Sequence, residues 1–282
     1  MNPTSKLPVA PQGPVPASHA LSQTELAISD MVEGVTNTSL WVALGWQDIR
    51  QRYRRSTLGP LWLTLSMAVT VGGIGTVYSG LFGQKIADYL PFVALGFIFW
   101  GFIAGVVTDG CSAFIGTEAF IKQIRIPVWL HVIRLVWRNL IIFGHNFVIF
   151  IAVALILQVW PQPVAWLALP AMLLLLINSL WVAMVLGLVC ARFRDVPQIV
   201  NSILQLGFLV TPIIWKPEIL THRVALIHWN PIHHFIDIVR RPLLGGAPEP
   251  LSWYVVLGIT VAGWLFTFLL FRRYRWRVPY WV

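Results

Sequence analysis

Residues 139–191 read NLIIFGHNFVIFIAVALILQVWPQPVAWLALPAMLLLLINSLWVAMVLGLVCA, 53 positions without one Asp, Glu, Lys or Arg. About 20 helical residues cross a hydrocarbon core of about 30 Å, so this stretch holds two membrane spans rather than one. Near its middle stands Pro161-Gln162-Pro163, with Trp160 and Trp166 on either side. Proline interrupts a helix and tryptophan prefers the membrane–water boundary, which places a tight turn between the two spans.

Four more charge-free windows extend the pattern: Ser56 to Gln84, Tyr89 to Thr108, Val196 to Trp215 and Pro250 to Phe271. Each admits one span, so the sequence predicts an all-α integral membrane protein of six helices, at about 58–82, 89–112, 132–159, 164–190, 197–216 and 252–271. Composition agrees, with 57% hydrophobic and only 11% charged residues in a chain of 282 and a mean hydropathy of +0.73. A water-soluble domain carries about a quarter charged residues, and a disordered chain is far less apolar. Cys111 and Cys190 both lie in apolar runs, so neither a disulfide framework nor a CxxC metal site is expected.

The formal net charge of +9 and pI of about 10.2 would suggest nucleic acid in a soluble chain. Here the charge follows topology, and no nucleic-acid partner is expected. Fifteen of the 20 Lys and Arg fall on one side of the six spans: Lys6, Arg50, Arg52, Arg54, Arg55, Lys122, Arg125, Arg134, Arg138, Arg192, Arg194, Arg272, Arg273, Arg275 and Arg277. Positive charge stays inside, so both termini are expected in the cytoplasm of a multi-pass protein. The proline-rich head, with the residues after it up to 36, reads as a disordered cytoplasmic tail with no signal peptide, and residues 276–282 as a second tail.

The segments beside the spans carry the functional signals. From 37 to 55, Val42, Trp46, Ile49 and Tyr53 recur at helical spacing while charged and amide side chains fill other positions. This predicts an amphipathic helix in the cytoplasmic interface, its arginines on lipid phosphates or serving as an ordinary anchor before the first span. Glu118 to Pro127 is short, mixed in polarity and ended by proline, as is Arg192 to Pro197. Such rigid segments either dock a soluble partner or are solvated turns. Residues 217–249 contain the stripe Ile232, Phe235, Ile236 and Val239, opened by Asn230-Pro231. Too short to span and too apolar for water, the segment is either re-entrant in the outer leaflet or an external interfacial helix.

No lysine completes a phosphate loop, the histidines lack HExxH spacing, and Asp109 is the one carboxylate within a predicted span; ATP binding, metal catalysis and ion coupling are thus weakly supported. Among the many aromatics, Trp62, Tyr78, Phe99, Trp100 and Trp215 are candidates to line a path for sugars, whose C–H faces pack on flat rings; interfacial belt or core packing is the alternative for each. An integral-membrane glycosyl- or acyltransferase would need paired acids or a His–Asp pair at the surface, and no spacing clearly supplies one.

Arg52-Tyr-Arg-Arg-Ser-Thr-Leu-Gly-Pro-Leu-Trp62, Ile121-Lys122, Arg125-Ile-Pro127, Phe193-Arg-Asp-Val196, Thr211-Pro-Ile-Ile-Trp215 and Trp229-Asn-Pro231 with Arg240 together resemble the ABC-2 permeases that export polysaccharides such as O-antigen, capsule and teichoic acid. The resemblance spans about residues 37–275; Pro60 after Leu-Gly is a variation. It implies a bacterial inner-membrane homodimer of six-helix permeases working with two separate ATPase subunits that hold ATP and Mg, with no cofactor in this chain. The helix before the first span resembles that family's interface helix, so Trp46, Arg52, Tyr53, Arg54 and Arg55 would receive a lipid-linked polysaccharide among membrane lipids. Residues 118–127 resemble its coupling helix, with Glu118, Phe120, Lys122 and Arg125 transmitting movement from the ATPase, and Arg194 and Asp195 making a second contact. Asn230, Pro231, Phe235 and Arg240 would form the outer gate. An ABC-2 exporter of a drug or another lipid shares the scaffold and is the rival within transport.

Overall fold

A computed structural model describes residues 22–52, 54, 59, 61–118, 121, 126–219 and 227–282. Every regular element among them is helical: α1 (Gln23–Thr36), α2 (Thr38–Arg52), α3 (Leu61–Leu81), α4 (Ile86–Cys111), α5 (Val128–Ile156), α6 (Ala168–Arg192), α7 (Val196–Val210), α8 (Pro231–Leu243), α9 (Pro250–Tyr274) and α10 (Val278–Trp281), with 3-10 turns between some of them. Five are long and apolar enough to cross a membrane: α3, α4, α5, α6 with the turn Pro163–Leu167 before it, and α9 with the chain after it to Trp281. The turn at Pro161-Gln162-Pro163 separates α5 from α6. The chain is therefore a multi-pass, all-helical membrane protein.

α4 is the axis of the bundle and packs against α3, α5, α6, α7 and α8. Its buried residues run from Tyr89 to Cys111, all round the middle turns. One close approach depends on a missing side chain: a Cβ on Gly96 would lie 2.9 Å from the carbonyl oxygen of Ile213. By contrast α3 buries only Val71, Gly75 and Ser79, and α7 buries nothing. Two apolar helices thus pack on the bundle by one side and leave most of their surface uncovered among the described residues.

Two expectations are corrected. The segment up to 36 is not tail throughout, because residues 23–36 form α1. Ser22 and Glu25 close a capping box, the Glu25 amide donating to Ser22 Oγ at 3.2 Å and the Ser22 amide to Glu25 Oε2 at 2.6 Å; this satisfies the first-turn amides that would otherwise face water. The second concerns the fifth span, expected to run to 216. Its helix ends at Val210, 15 residues long, which at about 1.5 Å per residue is roughly 22 Å and short of the hydrocarbon core. The cause is Pro212, which pushes Thr211 out of helical geometry (φ −81°, ψ 136°).

Candidate functional site

At the end that holds α1 and the last residues of the chain, α2 lies along α5. Gly45 makes this possible, since a Cβ there would meet Trp137 at 2.7 Å. The next turn of α2 presents Asp48, which accepts from Arg134 Nε at 2.8 Å and from a second Arg134 nitrogen, and faces Arg138 Nη1 at 3.4 Å. Arg138 reaches on to Asp109 at 2.7 Å, and Asn139 donates to the same carboxylate at 2.7 Å. Charges on α2, α4 and α5 therefore form one ladder beside a cavity of about 300 Å3 that His131 also lines. Asp109, the lone carboxylate in a predicted span, is consumed by this ladder. Arg134 and Arg138 stand four residues apart, on one face of α5.

The expected substrate-access residues are partly assembled. Trp46 is half exposed and lines a groove with Arg50, Gln51, Arg54 and Gly59; Arg52 is exposed beside it. Tyr53 and Arg55 lie outside the described residues. The apolar stripe is divided: Ile49 turns into the protein and Trp46 outward. Of the expected coupling residues, Glu118 is exposed after the turn Ile115–Thr117, while Phe120, Lys122 and Arg125 lie outside the described residues. Arg194 and Asp195 are exposed before α7. Arg194 donates to the carbonyl of Trp281 at 3.2 Å, and Tyr274 packs on Trp281. Residues 276–282, expected as tail, are therefore folded back as the 3-10 turn and α10.

α1 closes the same end. Asp30, 9% exposed, accepts the Trp129 amide at 3.2 Å in the first turn of α5 and faces Arg275 at 3.5 Å. Burial raises the pKa of its carboxyl above the ordinary aspartate value; the backbone amides and Arg275 oppose that shift.

At the other end, α8 and the Thr211–Trp215 connection are pinned together. Asn230 caps α8 through the Ile232 amide at 3.0 Å and donates to Thr211 Oγ1 at 2.9 Å. Pro231 occupies the first turn, where its missing amide costs nothing. Arg240, 3% exposed, donates to the Pro212 carbonyl at 2.7 Å and lies 3.9 Å over the Phe92 ring. The Tyr89 hydroxyl donates to the carbonyl of Ile214. Phe235 joins the core from a half-buried position. Sequence reasoning missed how α8 is tied to α9. There Asp237 accepts from Ser252 Oγ at 3.0 Å and the Glu249 amide at 3.3 Å, and pairs with Arg241 at 2.7 Å. His234 also contacts Ser252, at 3.0 Å. The spacing Asp237–Arg241 was the one readable signal, as an i,i+4 pair.

The five aromatic path candidates do not converge. Phe99 and Trp100 are core residues, packed on Phe143 and Phe208. Tyr78 packs on Phe82, and the Trp215 indole donates to the Leu209 carbonyl at 3.3 Å. Trp62 is the one largely exposed, at 55%.

The described residues thus define a multi-pass helical membrane protein with a short helix, α8, pinned at one end. Residues 39–244 match the family described as ABC-2 type transporter, and the chain belongs to that family. It is 26% identical over 196 residues to an O-antigen export system permease protein RfbA of Myxococcus xanthus, covering 68% of this chain and 75% of that protein. Two proteins of the same description from Klebsiella pneumoniae are 22% and 24% identical, covering 84% and 79% of this chain and 93% and 89% of their own lengths.

Proposed function

We propose that this chain is the permease subunit of an ATP-driven exporter that moves a lipid-linked polysaccharide from the cytoplasm across the bacterial inner membrane. The observation that carries the proposal is the nearly end-to-end similarity to O-antigen export permeases, one of which is covered over 93% of its length. The geometry supports it in two places, one at each end of the bundle. The Trp46, Arg50 and Arg54 groove offers an aromatic ring and guanidinium groups where a glycolipid head with phosphate groups would lie against the membrane. Residues 118–127, most of which lie outside the described residues, are read from the family resemblance as the coupling helix for a separate ATPase carrying ATP and Mg. Asn230, Tyr89 and Arg240 hold the chain after α7 against α4, forming an outer gate that closes the path.

In this reading α7 and the Thr211–Trp215 connection together complete a sixth crossing, both termini are cytoplasmic, and the unpartnered faces of α3 and α7 meet a second copy of the chain. ATP closes the ATPase pair, the 118–127 segments carry the motion into α4 and α5, and the glycan passes outward between the two permeases. Replacing residues 120–125 by Gly/Ser tests the coupling assignment. The protein is expected to insert and bind its ATPase while export falls by at least tenfold; unchanged export overturns that assignment.

A further inference from the structure

α1 looks like an appendage, yet its inner face is built against two spans at once. Ala27 and Asp30 are buried, and a Cβ on Gly34 would lie 2.8 Å from Trp129 Cβ. Trp129 in turn is stacked on Trp264 of α9, with ring centroids 5.5 Å apart and planes 5° apart, and meets Phe271 edge-on. Asp30 joins the same three elements through polar groups: one oxygen takes the Trp129 amide of α5, and the other faces Arg275 just beyond α9. Arg275 also donates to the Leu26 carbonyl of α1 at 2.6 Å. The first turn of α5, immediately after Ile126-Pro127, therefore sits in a socket whose walls are α1 and the inner end of α9.

We infer that Asp30 is a positioning residue: through α1 it fastens the start of α5 to the end of α9, so that movement of the 118–127 segment reaches the last span. The inference rests on the transport reading above. A carboxylate suits the task because one of its oxygens can accept a helix-terminal amide while the other faces a guanidinium, two roles an amide side chain does not fill with equal strength. A purely structural role for Asp30 would lower the amount of folded protein and leave the work done per ATP unchanged.

The test uses the whole permease with its ATPase in lipid vesicles supplied with lipid-linked glycan, and reads glycan moved per ATP hydrolysed. Asp30→Asn is expected to keep hydrolysis within about twofold and to lower that ratio by about tenfold. Asp30→Glu is expected to recover at least half of it. Arg275→Gln, which leaves the Trp129 amide capped, is expected to lower the ratio about threefold and serves if the Asn variant does not fold. An unchanged ratio in Asp30→Asn, or in Arg275→Gln where the Asn variant yields no protein, overturns the inference while the transport reading stands. If the unaltered chain moves no glycan with ATP, both fall.

Discussion

Truncation of Asp237 probes how the outer short helix is held. Its carboxylate is 2% exposed and pairs with Arg241, which is 35% exposed and keeps Glu249 at 2.8 Å if Asp237 is lost. Loss of that pair alone costs at most about 1 kcal/mol, since the Arg241 guanidinium reaches water and keeps Glu249. The Glu249 amide, by contrast, loses its capping acceptor at the start of α9, which costs about 1 kcal/mol. Ser252 keeps His234 and loses little. Arg240, 3% exposed, loses the carboxylate that most favours its charge and retains a carbonyl and a ring face. Leaving a buried cation less compensated adds roughly 2 kcal/mol, below the 3–5 kcal/mol of a directly broken buried pair. Asp237→Ala is thus expected to cost about 3–4 kcal/mol, a fall of roughly 10 °C in the melting temperature of a chain this size. Asp237→Asn should lie between Ala and the parent, and Arg241→Gln should shift melting by less than about 3 °C. Tryptophan fluorescence of the purified protein in nanodiscs during heating reads all three. If Arg241→Gln costs as much as Asp237→Ala, the ion pair with Arg241 and not the buried cap holds α8, and the reasoning is refuted.

Gly96→Val drives a side chain into the Ile213 carbonyl and is expected to cost about 1–3 kcal/mol of overpacking strain, whereas Gly101→Ala, whose new Cβ would meet the mobile end of Met67 at 3.5 Å, should melt as the parent does. The Asp30 carboxyl holds its proton more tightly in the folded chain than in the unfolded one. Folding stability therefore falls as pH rises from about the ordinary aspartate value through the raised folded-state value, then levels off. Asp30→Asn does not titrate, so the melting temperature of the parent relative to this variant should fall through that window; a rise would contradict the stated direction. Cys111 and Cys190 are buried, so a cysteine placed at exposed Ser22 or Ala247 reports its own side. A membrane-impermeant maleimide should label position 247 in intact cells and position 22 only after lysis, and the reverse pattern would invert the topology.

Much of the bundle is readable in the charge-free windows, because a bilayer forbids charge over about 20 residues and that rule acts position by position. The turn between α5 and α6 was legible from two prolines and two tryptophans. The early end of α7 was also written in the sequence, in Pro212, but an unbroken apolar window hid the helix stop. For α1, Ser22 and Glu25 spelled a capping box that the proline-rich head beside it obscured. Asp48, Asp237 and Asp30 were harder to place, since counting charges along the chain sets them outside the spans without naming a partner. Their partners, Arg134 and Arg138, Ser252, and Trp129 with Arg275, stand 15 to 245 positions away, where only folding brings them together. The aromatic path candidates lie apart in the single chain for a related reason. In so uniformly apolar a chain, helix rotation is set by packing partners such as Phe143 and Phe208, which hydropathy does not encode.

The most direct test of the central claim is deletion of the gene in its own host, followed by separate measurement of surface glycan and lipid-linked glycan inside the cell. The export account predicts that surface polymer is lost while long lipid-linked polymer accumulates in the cytoplasmic fraction, and that the intact gene restores both. Loss of polymer from both fractions would place the chain in synthesis, and normal surface glycan would contradict a polysaccharide cargo.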